Sequence, residues 1–164
     1  MLFKELDNNK NYTFKLINDS KLKSNITDLI LRQLPEWFGI EESIVEYISG
    51  VKETIFYAAF DNDKPIGFIS LKFNNEYTSE IYAMGITKEY HNRGMGKELI
   101  ENVVGYSKRK GYNLLMVKTL GESHPDRYYK RTREFYKKVG FYPIGEIKEI
   151  WGEQTPCLLM IRSL

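Results

Sequence analysis

Apolar positions change their period several times along the chain. Residues 12–18 alternate apolar and polar as a half-buried strand does. Asp19 and Ser20 can cap a helix over 21–34 that places Ile26, Leu29, Ile30 and Leu34 on one side and stops at Pro35. A second helix is predicted over 41–49, carrying Ile44, Val45 and Ile48 inward. Two β-rich runs, 54–60 and 66–73, flank the turn-forming stretch 61–65 and read as a hairpin. Asn74 and Asn75 form a further turn, and 79–86 supplies a third strand.

After residue 86 the pattern switches. Residues 94–110 have helical spacing, with Met95, Leu99, Ile100, Val103 and Val104 in one stripe. Lys108, Arg109 and Lys110 sit where the helix dipole favours cations, and Gly111 can supply a left-handed cap. A buried strand over 112–119 must run parallel to its predecessor, because a helix crosses between them. A loop with Gly121, His124 and Pro125 follows, then a helix over 128–139 closed by Gly140, then strands over 141–149 and 157–161. The order predicts one α/β domain spanning 1–164. Its mixed sheet has an antiparallel N-terminal half and a parallel central pair, flanked by about four helices. Ligands bind where such a topology changes.

Composition narrows the function more by exclusion than by indication. The 24 basic and 22 acidic side chains of this 164-residue chain leave a net charge of +2. That balance gives no case for nucleic acid or an anionic membrane as partner. Cys157 stands alone, so no internal disulfide forms, and with only His91 and His124 beside it no metal site is expected. No apolar run has the length of a membrane span, and the amino-terminal stretch lacks an apolar signal core. A cytoplasmic location is the expectation.

The most informative stretch runs from Glu80 to Lys97. A strand enters a turn holding Arg93, Gly94, Gly96 and Lys97, and a helix starts there. Two glycines let the backbone approach a ligand closely. Free N–H groups at the helix start, with Arg93 and Lys97 nearby, suit a phosphate or pyrophosphate. By itself the segment fits a tight turn with a solvated basic face equally well. Two familiar glycine loops do not fit. A Walker A loop would need glycine at His91 and Ser or Thr at Glu98, and a dinucleotide fingerprint would need a third glycine at Leu99.

The segment resembles the acetyl-CoA-binding motif of the GNAT N-acetyltransferase superfamily, [Q/R]-x-x-G-x-[G/A], with Gly94 and Gly96 on the glycine positions and His91 in place of Gln or Arg. The resemblance implies that backbone groups near Met84, Gly85 and Ile86 pair with the pantetheine arm of acetyl-CoA. It implies that His91, Asn92, Arg93, Gly94, Met95, Gly96 and Lys97 surround the pyrophosphate. Residues 129–141 resemble the family's second signature, a helix with a Phe-Tyr pair followed by Gly-Phe. There the resemblance gives Tyr136 the role of acid to the leaving thiolate, with Tyr129, Thr132 and Phe135 against the cofactor. Tyr129 and Thr132 stand where the family carries Asn and Ala. Read on spacing alone, Tyr128, Thr132, Phe135 and Val139 form a core stripe.

An amine acceptor must lose a proton before it attacks, since an alkyl ammonium has no lone pair. Glu80 is the candidate base: alternation puts it on one strand face with Tyr82 and Met84, and it matches the base position of histone-type relatives. It reads equally as an exposed carboxylate at a strand start. An N–H near Met84 or Gly85 would stabilise the oxyanion. Trp37, Phe38 and Tyr82 are candidate acceptor-site residues, with Trp151 and the carboxylates Glu36, Glu41 and Glu42 near them. Cys157 reads as a packing residue. The expected activity is acetyl transfer from acetyl-CoA to a primary amine on a small molecule or peptide, and the alternative is a non-catalytic acyl-CoA sensor. The resemblance also makes a homodimer through an edge strand an expectation.

Overall fold

The computed structural model describes residues 12–164. The amino-terminal stretch read above for a signal core lies outside the described residues. The chain runs β1 (Tyr12–Leu16), α1 (Ser20–Leu31), α2 (Glu41–Gly50), β2 (Ile55–Asp61), β3 (Lys64–Phe73), β4 (Thr78–Ile86), α3 (Met95–Arg109), β5 (Leu114–Leu120), α4 (Arg127–Lys138), β6 (Tyr142–Ile147), the one-turn α5 (Lys148–Trp151) and β7 (Cys157–Ser163). The strands form one sheet ordered β1-β2-β3-β4-β5-β7-β6. Among the described residues only β4 and β5 pair in parallel. No helix among the described residues is long and apolar enough to cross a membrane.

Local chemistry explains the helix ends. Asp19 Oδ1 accepts from the Leu22 N–H, and Asp126 Oδ1 accepts from the Tyr128 and Tyr129 N–H groups, so both side chains satisfy orphan donors of a first turn. Gly111 takes φ of 85° after α3, a conformation that costs an L side chain about 1–2 kcal/mol. α1 stops at Leu31, three residues short of the expected Leu34. The Gln33 and Leu34 N–H groups reach back only three residues, to Ile30 and Leu31, and tighten the chain ahead of Pro35.

Two apolar cores lie on opposite faces of the sheet. One joins α3 and α4 to β3, β4, β5 and β7 through Leu99, Ile100, Val103, Leu115, Val117, Tyr136, Phe141 and Met160. The other seats α1 and α2 on β2, β3 and β4 through Ile26, Ile30, Leu31, Ile44, Phe56 and Phe68. Leu29 and Val45, expected inward, are 47% and 53% exposed, because Leu31 and Ile44 take the sheet-facing positions. On α4 the buried residues are Arg133 and Tyr136, while Tyr128, Thr132, Phe135 and Val139 are half-buried. The strand expected over 141–149 ends at Ile147, where α5 begins. Its six residues are all exposed at the sheet edge.

Candidate active site

The site begins where two strands part. β4 and β5 pair only from Thr78↔Leu114 to Ile81↔Val117, so among the described residues the rest of β4 has no partner on that side. Opposite β3 the register skips Tyr82, pairing Leu71 with Ile81 and Ser70 with Ala83. This bulge turns the strand over. Tyr82 and Ala83 both face α1 and α2, and Met84 faces α3. Glu80 and Tyr82 therefore share a face as expected, and Met84 lies on the other.

Backbone direction follows from one hydrogen bond. The Thr87 N–H donates to Ile66 O at 2.9 Å, so by antiparallel alternation Gly85 and Ala83 also turn their polar groups towards β3. Met84 and Ile86 then direct their N–H and C=O groups into the slot between β4 and β5. The N–H of Gly85 faces β3, so of the two donors expected for an oxyanion only that of Met84 faces the slot. Gly85 has a packing reason of its own: a Cβ there would meet Ile30, Leu31 and Leu34 at 3.1–3.3 Å.

The slot leads to the glycine turn. A single 3-10 turn (Lys88–Tyr90) brings the chain to Asn92 at φ 59° and Gly94 at φ 82°, and α3 starts at Met95. No side chain caps this helix, and its first intrahelical acceptor, Gly94 O, is used by the Glu98 N–H. The N–H groups of Met95, Gly96 and Lys97 have no partner within the helix, which suits an anion. A Cβ on Gly96 would meet the Phe135 ring at 2.9 Å, so this glycine also lets α4 close against α3. Phe135 thus packs on the turn. Arg93 leans away towards β1, donating to the Tyr12 hydroxyl at 3.2 Å with its guanidinium 5.3 Å from the Tyr90 ring centroid.

Across the slot stands α4. Tyr136 is buried between Phe135 and Phe141, and burial holds its phenol well above the ordinary value of 10.0, with Tyr129 and Tyr47 adding to the effect. Such a group keeps its proton at neutral pH. Burial likewise pushes Tyr129 up to about 12. Its hydroxyl donates to Trp37 O at 2.7 Å, and the Trp37 indole N–H donates to Thr132 Oγ1 at 3.1 Å. His91 Nε2 donates to Ile86 O at 2.6 Å, and its ring lies 5.8 Å from that of Trp37.

Comparison with known proteins supplies the lineage. The sequence model described as Acetyltransferase (GNAT) family matches residues 24–141. The chain belongs to this family. An uncharacterized N-acetyltransferase of Chlorobaculum tepidum is 25% identical over 119 residues, which cover 71% of this chain and 66% of that relative's length. A GNAT-family structure from Desulfovibrio desulfuricans superimposes with a TM-score of 0.80 at 17% identity, covering 93% of this chain and 99% of the other. A GNAT-family acetyltransferase from Elizabethkingia anophelis with acetyl-CoA bound gives 0.70 at 21% identity, covering 94% and 99%. At those identities the two structures carry the fold alone.

On this GNAT framework Glu80 is 2% exposed, which removes the reading as an exposed carboxylate. The Lys72 ammonium lies 2.8 Å from Glu80 Oε2, and that of Lys118 lies 3.3 Å from Oε1, an atom without a hydrogen bond among the described residues. Neither lysine stood out in the sequence. Lys72 was within reach of the hairpin register, since it faces Glu80 across β3 and β4. Lys118 needed the parallel register, being the first β5 residue beyond the last β4 pair. Tyr82 stacks edge-on with Tyr47, and Tyr47 with Phe38, forming an aromatic wall beside the carboxylate. Trp37 is turned instead to α4 and His91. Of the three nearby carboxylates, Glu36 pairs with Lys88 and Glu41 with Arg32. Cys157 is buried, and burial raises its thiol to about 11, in keeping with a packing role. Among the described residues no cluster of three or more His, Cys, Asp or Glu is arranged to hold a metal.

Proposed function

We propose that the protein is an N-acetyltransferase that moves an acetyl group from acetyl-CoA to a primary amine by direct attack. The observation that carries this reading is the edge of β4, left without a partner among the described residues beyond Ile81, which runs into an uncapped helix start. An extended chain can add to the Met84 and Ile86 edge as a further strand does. Backbone N–H groups from Asn92 to Lys97 would hold the pyrophosphate. The fit is good on backbone grounds: nothing lies within 4 Å of a Cβ placed on Gly94, and α3 presents its donors without a competing cap.

Acetyl-CoA supplies an acyl thioester, an electrophile that a neutral amine can open. The Met84 N–H would donate to the oxygen that gains charge. Tyr136 keeps its proton at neutral pH and delivers it to the departing sulfur. Glu80 Oε1, directly or through one water, receives the proton that the acceptor amine gives up. Lys72 anchors the other carboxylate oxygen. No covalent bond to the protein is required. Tyr82, Tyr47 and Phe38 would line the acceptor's approach. The acceptor is a small-molecule or peptide amine. The exposed outer edge of β6, with Tyr142 and Ile144 uncovered, supports a homodimer.

Calorimetric titration with acetyl-CoA, beside a Gly94→Glu variant, tests the reading. Saturable binding lost in the variant supports it, and thiol release on adding amines then separates enzyme from sensor. Binding without turnover on any amine would favour a sensing module. No binding by folded protein would remove both.

A further inference from the structure

Three positions depart from the family motif: His91 for Gln or Arg, Tyr129 for Asn, and Thr132 for Ala. The three lie on two different elements, yet all of them touch one residue. Trp37 accepts from the Tyr129 hydroxyl, donates to Thr132 Oγ1 and stacks edge-on against His91. Tyr128 packs on the same indole at 5.2 Å. Beside it, Glu36 is tied to Lys88 at the far end of β4. The turn between α1 and α2 is therefore fastened at both sides of the slot, to α4 and to the segment leading into the glycine turn. The His91 imidazole meanwhile holds the Ile86 carbonyl, one of the two slot-facing backbone acceptors of the β4 edge.

We infer that Trp37 and His91 form a latch that closes the acetyl-CoA slot and must be displaced before the ligand can pair with β4. The inference rests on the reading of the slot given above. A strand-like ligand needs the Ile86 C=O, which His91 satisfies. It must also pass between β4 and α4, where Trp37 is hydrogen-bonded to Thr132. Binding has two stages, latch opening and strand addition, and the closed fraction lowers the apparent affinity.

Trp37 reports its own movement. In a Trp151→Phe background it is the single indole, and mixing with acetyl-CoA in a stopped-flow fluorimeter reads the opening. The observed rate should bend towards a plateau as acetyl-CoA rises, the plateau being set by opening. Thr132→Ala removes one tether with a residue that favours helix, and should raise the plateau about fivefold, the effect of one ordinary hydrogen bond. His91→Ala frees the Ile86 carbonyl and should tighten calorimetric binding of acetyl-CoA by a similar factor. A rate that stays linear in acetyl-CoA, or a plateau unmoved or lowered in Thr132→Ala, overturns the latch. So does weaker binding in His91→Ala. If wild-type protein binds no acetyl-CoA in the calorimeter, the slot reading itself has failed, which the same titration shows.

Discussion

The two sides of the slot are built from different materials. On the β4–α3 side the groups that face it are backbone: the Met84 and Ile86 edge and the uncapped start of α3. On the α4 side the wall is made of side chains, Tyr129 and Thr132 tied to Trp37 and Tyr136 buried behind them. Backbone groups depend on φ, ψ and register, and two glycines and a bulge set those here. A neighbouring side chain such as His91 can then cover a backbone acceptor without moving a donor. A wall of side chains has no such protection, and each replacement changes what the wall does. Here Tyr129 and Thr132 on α4 hold Trp37 from the turn between α1 and α2. The general lesson is that a motif read as letters is most dependable where the letters specify backbone shape.

The largest effect expected from this contrast is on the backbone side. Gly96→Val should abolish acetyl-CoA binding, because its Cβ alone would sit 2.9 Å from the Phe135 ring and force α4 away from the helix start. Calorimetry checks this, with circular dichroism to show that the sheet persists. On the α4 side, Tyr136→Phe keeps the ring between Phe135 and Phe141 and removes only the hydroxyl. Turnover should fall by about 10²–10³-fold, the scale of one general acid, while acetyl-CoA affinity stays within about twofold. Parallel losses of both in Tyr136→Phe would break the contrast, since the hydroxyl would then serve binding.

How much of this was legible in the sequence follows the same division. The α3 stripe of Met95, Leu99, Ile100, Val103 and Val104 is buried as its spacing implied, and the order of strands and helices was readable from changes of period. Glycines marked the turn because only they take φ near 82° cheaply. The bulge at Tyr82 left no mark, so alternation put Met84 on the wrong face. Leu29 and Val45 look as apolar as their neighbours, and only the angle at which each helix meets the sheet leaves them outside. The partners of Trp37 come from 95 and 92 residues away, a separation that no local pattern encodes.

A smaller effect is expected at Glu80, which belongs to neither wall and sits at the inner end of the slot. Glu80→Gln keeps the shape but leaves Lys72 and Lys118 without a counter-ion. Both ammonium groups are partly exposed, so the cost should be about 1–2 kcal/mol, below that of a fully buried pair. That corresponds to a fall in Tm of roughly 3–6 °C. If Oε1 receives the amine proton, turnover near neutrality should also drop about tenfold or more and recover as the pH rises. A lowered Tm with unchanged turnover would assign Glu80 to structure alone.

The gentlest test uses pH. Burial is the first cause of the raised phenols of Tyr47, Tyr82, Tyr129 and Tyr136, and of the raised thiol of Cys157. Each group holds its proton more tightly folded than unfolded. The stability they lend is complete below their ordinary values, 9.0 for the thiol and 10.0 for the phenols. Above those values the unfolded chain releases protons that the folded chain retains, so unfolding gains and stability falls with rising pH. Thermal melts should therefore be flat from pH 7 to about 9 and decline beyond, first through Cys157 and then through the tyrosines. Tyr129→Phe, on the α4 wall, should flatten the decline above about pH 10, whereas Lys97→Ala on the glycine turn should leave it unchanged. An equal change in both variants would mean that the alkaline loss comes from net charge instead of these buried hydroxyls.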